Sequence, residues 1–369
     1  MFVAWRDLRF ARGRFILIGA VVALITVLVG FLAGLTGGLA FQNVSAVLDL
    51  PGNRLVLQQT DGKTAGFSES ELSERTVEAW RSAPGVREAL PVSIVQGRAT
   101  AGGTGGTTGV GGTTAGVALF GMPADSAQPK SALRSLVPAN DDEVGLSTGA
   151  AADLSARVGD RVSIAGAAYR VASIGGDLWY SHTPVVALTS SAAAEAEKRM
   201  GGSGASTVLA VTGDPDWDAV GRSTGTVALA PLASLTALET FRSEIGSLAL
   251  MVVMLFGISA LVVGAFFTVW TMQRSGDIAV LKALGATTGS LVRDALGQAL
   301  VVLVAGIGIG LAAVVGLGAI AGGALPFLIS PLTTLVPAGA MAVLGLAGAA
   351  VALRTVTSAD PLTALGSNR

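Results

Sequence analysis

QRSGDIAVLKALGATTGSLVRDALGQAL, residues 273–300, is a charged amphipathic run set directly between two long apolar stretches. A short polar connection of that kind belongs to a membrane protein and offers a docking surface at the membrane face. Composition agrees, because 51% of residues are hydrophobic, 13% are charged and the mean hydropathy is +0.65, too apolar for an ordinary soluble domain.

Residues 245–273 on one side of the run and 295–353 on the other carry no charge, and neither do residues 15–48. A helix needs about 20 apolar residues to cross the hydrocarbon core, so the last block predicts two helices. Pro326, Pro331 and Pro337 cluster where that block should turn. Proline cannot donate a helical hydrogen bond, and the residue before it avoids the α region. Four spans are predicted, near 15–40, 246–272, 296–322 and 336–353. Glycines within them, among them Gly30, Gly34, Gly306, Gly308, Gly310 and Gly316, have the small-residue spacing that lets helix backbones approach.

Arg6, Arg9, Arg12 and Arg14 crowd the residues before the first span, which by the positive-inside rule places the N-terminus in the cytoplasm. Four crossings then bring the C-terminus back to the same side. On this topology the inner segments carry nine Lys/Arg against four Asp/Glu, and the outer segment fifteen against twenty-one. The expected organisation is a cytoplasmic amphipathic helix (1–14), the first span and its outward extension (15–48), an extracytoplasmic domain (49–244), the second span (245–273), a cytoplasmic segment (274–294), spans three and four (295–353) and a cytoplasmic tail (354–369). A cleaved signal peptide is the rival reading of the N-terminus, but its apolar core usually runs about 7–15 residues and this one is much longer. Phe2, Trp5, Leu8 and Phe10 suit an interfacial helix, with a plain topogenic charge cluster as the alternative.

The outer region has a different texture. Residues 69–83 read as an exposed helix ending before Pro84 and Gly85, and β-prone runs follow at 92–95, 117–120, 161–164, 169–174 and 184–188. The predicted fold class is therefore an integral membrane α-helical protein with four transmembrane helices and an α+β extracytoplasmic domain. The glycine-rich stretch 102–116 lacks the Gly-Lys-Ser/Thr ending of a phosphate loop and reads as a surface loop. There is no cysteine, which excludes disulfides and thiol chemistry, and the one histidine, His182, makes neither a zinc site nor a triad. In DLWYSHTPVV (177–186) His182 is either a ligand-touching residue or a structural histidine beside an X-Pro turn.

DIAVLKALGAT (277–287) after the second span and VGDRVSIAGAAYRVASI (158–174) in the outer domain resemble the corresponding runs of ABC transporter permeases of the FtsX/MacB type. The one-domain-three order of spans and outer domain is similar to theirs along the whole chain. The resemblance implies a multi-pass protein of the bacterial plasma membrane, a homodimer surrounded by lipid, and a soluble ABC ATPase partner that carries ATP and magnesium. It implies no nucleic-acid partner, no catalytic cofactor or metal of the chain's own, and no enzymatic activity. The chain lacks the G-x-x-x-x-G-K-[ST] loop that would cradle phosphates. Coupling to the ATPase would fall to Asp277, Ile278, Val280, Leu281, Lys282, Leu284 and Gly285, an apolar stripe with one cation. Gly285 would end that segment and Thr287 or Thr288 cap the next helix, with a helix touching only lipid headgroups as the plainer alternative.

Residues 231–300 resemble more closely the haem-exporting permeases called HrtB, with Phe241, Glu244, Met251, Gln273 and Arg274 in corresponding places. Phe241 stands where that group often has tyrosine, which removes a phenolate ligand there. The resemblance implies haem as the transported substrate, with Glu244 and Glu239 offering oxygen to iron or propionate, Arg242 pairing with a propionate and Phe241 stacking. Tyr180 and Met251 are further ligand candidates. Each residue also has a plainer reading, as a solvated flank charge or as helix packing. Glu244 ranks first because it is nearest the span, where an ionisable group is costly unless it faces a cavity or a partner. The open alternatives are a related permease extruding lipid, lipoprotein, peptide or antibiotic, and a non-transporting FtsX-like regulator of cell-wall hydrolysis.

Overall fold

The computed structural model describes residues 12–59, 64–102, 112–124, 131–273, 276, 280, 284–322 and 325–357. These fall into two compact units. Leu39–Gly246 forms one, and the described parts of Met1–Gly38 and Ser247–Arg369 form the other. The cytoplasmic N-terminal helix and tail expected at 1–14 and 354–369 lie almost wholly outside the described residues, as does most of the glycine-rich loop.

The membrane unit is made from four helices long and apolar enough to cross a bilayer. They are α1 (Arg12–Leu48), α8 (Glu239–Gln273), α9 (Thr288–Ala321) and α10 (Pro331–Thr357). Glycine sets how closely they approach. A methyl added at Gly306 would lie 2.9 Å from the Gly19 carbonyl oxygen, and one at Gly310 would lie 2.7 Å from that of Ala23, so α9 and α1 touch backbone to backbone. The Phe327 ring, just before α10, seats on Gly34 and Gly318, where an added methyl would come within 2.3 Å of it. Hydroxyls inside the helices are satisfied by carbonyls one turn back, as in Thr26 to Val22 (2.8 Å) and Thr271 to Phe267 (2.7 Å). Pro337 does not lie in the turn. It sits inside α10, near its N-terminus, where the missing N–H costs one intrahelical bond, while Pro331 takes the favoured first helical position.

The second unit contains α+β structure. In chain order it comprises β1 (Arg54–Gln58), α2 (Glu74–Arg81), β2 (Val86–Ala101), β3 (Thr114–Met122), α3 (Ala132–Leu136), β4 (Glu143–Leu146), α4 (Thr148–Leu154), β5 (Arg161–Ile164), β6 (Ala167–Ile174), β7 (Trp179–Tyr180), β8 (Thr183–Thr189), α5 (Ser190–Arg199), β9 (Val208–Gly213), α6 (Trp217–Thr224), β10 (Thr226–Leu229) and α7 (Pro231–Ser234). The five predicted β-prone runs all lie in strands. The helix expected at 69–83 starts later, because Ser73 caps it through the Thr76 N–H while Leu72 bonds across to Ser206.

The sheet order is β10-β1-β9-β2-β3-β8-β4-β6-β5, with β7 on β8 and a further β2–β5 pairing. The long strand β2 serves two regions. Its first half pairs with β9, while its second half pairs with β3 and β5 and so closes a ring of β2, β3, β8, β4, β6 and β5. One core, containing Phe120, Leu133, Leu57 and Val208, extends to Val44 and Val47 at the end of α1, to Leu238 just before α8 and to Phe241 in its first turn. Both helix ends are thereby packed into this unit, and both reach the site described next.

Candidate functional site

The carboxylate of Glu244, on the first turns of α8, receives two side chains from other elements. His182 Nε2 lies 3.0 Å from Oε1 and 3.2 Å from Oε2, and Asn43 Nδ2 donates to Oε2 at 3.2 Å. Asn43 comes from the last turns of α1 and is fully buried, and its Oδ1 has no hydrogen-bond partner among the described residues. His182 arrives on the β7–β8 hairpin. Tyr180 pairs with Thr183, so Ser181 and His182 are the whole loop. Their φ values are 46° and 64°, the left-handed pair that a type I′ turn requires. That turn favours Asn-Gly, and forcing Ser and His into it costs on the order of 1 kcal/mol per residue.

The strained tip is held from both sides. The Ser181 and His182 N–H groups donate to the carbonyls of Asn43 and Gln42, each at 3.0 Å, and Thr240 Oγ1 bonds Ser181 Oγ at 3.2 Å. The hairpin thus ties the end of α1 to the start of α8. The His182 and Glu244 side chains remain 31% and 36% exposed, so an oxygen and a nitrogen donor stand together and accessible. Such a pair can bond internally, or open toward a propionate or a ferric ion.

The other predicted ligand residues divide. Phe241 packs half-buried against the main core of the unit, and Arg242 is exposed. Met251 belongs to the membrane unit and is 56% exposed. Tyr180 and Glu239 line a different feature, a cavity of about 370 Å³ in which Glu244 takes no part. Tyr180 is 8% exposed, its ring edge-on to Phe67 and Phe120. Burial, helped by the Glu239 charge, pushes its phenol well above the ordinary range and so disfavours the phenolate that would ligate iron. Asn43 is the site residue that sequence reasoning missed. The signal available was weak, namely that Gln42 and Asn43 are the only amide side chains in an otherwise apolar run.

Of the predicted coupling residues, Val280 and Leu284 are 60% and 79% exposed, and Gly285 has φ +94°, a left-handed stop suited to glycine. Thr287 caps α9 by accepting from the Ser290 N–H. Asp277, Ile278, Leu281 and Lys282 lie outside the described residues.

The FtsX-like permease C-terminal family matches residues 249–361, which takes in the coupling run and three of the four spans. Residues 249–361 carry an FtsX-like permease C-terminal domain. It is 25% identical, over 99% of both chains, to a hemin transport system permease protein, HrtB, of Staphylococcus haemolyticus. A second relative, an uncharacterized ABC transporter permease of Mycobacterium tuberculosis, is 30% identical over 35% of this chain and 36% of its own. Among solved structures, the periplasmic region of MacB from Actinobacillus actinomycetemcomitans aligns with 54% of this chain and 95% of that one, at 12% identity and a TM-score of 0.34.

Proposed function

We propose that this permease is the membrane subunit of an ATP-driven efflux transporter that exports haem from the membrane. Its partners are a soluble ABC ATPase, which carries ATP and magnesium, and a second copy of the chain. Residues 49–244 lie outside the cell, and 274–294 and both termini lie in the cytoplasm, the arrangement favoured by the arginines before α1. The observation that carries the haem reading is the similarity to a hemin transport permease over essentially the whole of both chains. Glu244 supports it chemically. Ferric haem joins a hard cation and two propionates to an apolar macrocycle, and around Glu244 the helix offers an accessible carboxylate, a half-buried Phe241 and an exposed Arg242. His182 and Asn43 orient that carboxylate. Closure of the ATPase pair would pass through residues 277–287 to α8, the helix that carries Glu244 at its other end.

Haem titration of the purified full chain tests this reading. A Soret band that is lost in Glu244→Ala, with haem-stimulated ATP hydrolysis in the reconstituted complex, is expected. Failure of haem to bind, combined with stimulation by lipid, lipoprotein, peptide or antibiotic, would move the assignment to a related exporter. No stimulation by any substrate would favour an FtsX-like regulator.

A further inference from the structure

The cavity lined by Tyr180 and Glu239 borders the Glu244 site, sharing Ser181 and Thr240 with its hairpin clamp, but Glu244 does not line it and the inference does not rest on the haem reading. Its walls carry three carboxylates, Glu71, Glu197 and Glu239, and no lysine or arginine. Among the described residues none of the three is in an ion pair. Glu239 Oε1 accepts only from the Ser68 hydroxyl (3.0 Å), and Glu197 Oε2 is buried without a hydrogen-bond partner. The Tyr180 hydroxyl is also unpartnered among the described residues, although the residue is more than nine-tenths buried and lines this space. A phenol without a protein partner, on a residue this deeply buried and at the wall of an acidic cavity, is left to bond whatever occupies that cavity. Phe67, Ile94 and Leu238 supply an apolar wall.

We infer that this cavity is a binding site for a small organic cation, an ammonium group on an apolar body, with Glu71, Glu197 and Glu239 taking the charge and the Tyr180 hydroxyl accepting an N–H. Among the described residues no three acidic or histidine side chains are placed to hold one metal ion, so the cavity favours an organic cation over a divalent metal. Haem, with two propionates, is repelled from it. The cavity's 370 Å³ falls within the ordinary range for small-molecule sites, roughly 300–1,000 Å³. Burial pushes the Glu197 carboxyl up, and the neighbouring Glu71 adds to it.

The test is calorimetric titration of the full-length protein in detergent with 2-phenylethylammonium, with neutral 2-phenylethanol and calcium as comparisons. Saturable binding of the ammonium alone is expected, weakened about tenfold in the Glu197→Gln/Glu239→Gln double variant and less in Tyr180→Phe, with haem binding unchanged in both. A thermal melt of each variant shows whether it is folded. Equal binding of the alcohol, calcium binding without ammonium binding, or ammonium binding that survives in a folded double variant would each overturn the assignment. Loss of haem binding in Glu244→Ala with ammonium binding retained separates this site from the proposed haem site.

Discussion

Glu244 and Glu239 stand little more than one turn apart on α8, and their surroundings differ sharply. Glu244 has a nitrogen donor on each side, Asn43 from α1 and His182 from a strained hairpin. Glu239 has a single serine hydroxyl and faces two further carboxylates across a cavity. A carboxylate that the fold holds with donors is positioned and can exchange those donors for a ligand. One set among like charges with no cation beside it favours a cationic ligand, the reading proposed for the cavity. Residue type and helix are the same in both cases, so the surrounding donors and charges do most to set what each carboxylate can bind.

The largest expected effect breaks this contrast at Glu244. Glu244→Ala should abolish the haem signal while leaving 2-phenylethylammonium affinity within about twofold, since Glu244 does not line the cavity. Next comes the turn. Ser181→Gly and His182→Gly both relieve left-handed backbone, but only the second removes a donor to Glu244. Ser181→Gly should raise stability by ~0.5 kcal/mol, after loss of the weak Thr240 contact, and leave haem affinity alone. His182→Gly should weaken haem binding several-fold, read by Soret titration. If the two variants bind haem equally, His182 serves the hairpin only.

The spans were legible from their uncharged length, and five strands from β-branched runs between Gly, Asp and Pro. Other strands were not legible. β9 is buried along almost its whole length, so it lacks the alternation that marks a half-exposed strand, and β4 has only four residues, all buried. Glu244 was picked out because a charge beside an apolar span stands out. Its partners were not, because Asn43 lies 201 residues away and Ser-His carries no hairpin signal. The acidic cavity was invisible for the same reason, since Glu71, Glu197 and Glu239 meet only through sheet topology, and Glu197 sits in SSAAAEAEKR, which reads as an ordinary solvated helix.

Acidity sharpens the contrast between carboxylates that have donors and those that do not. Arg170, bonded to Glu143 at 2.6 Å, and the hydroxyls of Ser191 and Thr189 on Asp141 hold those two carboxyls below their ordinary values. A depressed carboxyl contributes stability above its unfolded pKa and loses it as pH falls through the folded value. The outer unit should therefore weaken below about pH 4, with Arg170→Met removing part of that dependence in a pH series of thermal melts.

Glu197 has the opposite sign. Its carboxyl is raised, so its contribution is present below the ordinary value of 4.5 and is lost as pH rises through the folded one. At neutral pH the ionised group opposes folding. Glu197→Gln should then raise the melting temperature of the ligand-free protein at pH 7 by roughly 1–2 °C, the smallest effect expected, and the gain should vanish near pH 4, where the native carboxyl is already protonated. Saturating 2-phenylethylammonium should stabilise the wild type more than the variant, because the cation supplies the charge that the cavity lacks. A melting gain that persists unchanged at pH 4 would mean that the substitution acts through packing, and that Glu197 is no more burdened by its neighbours than a carboxylate on any solvated helix.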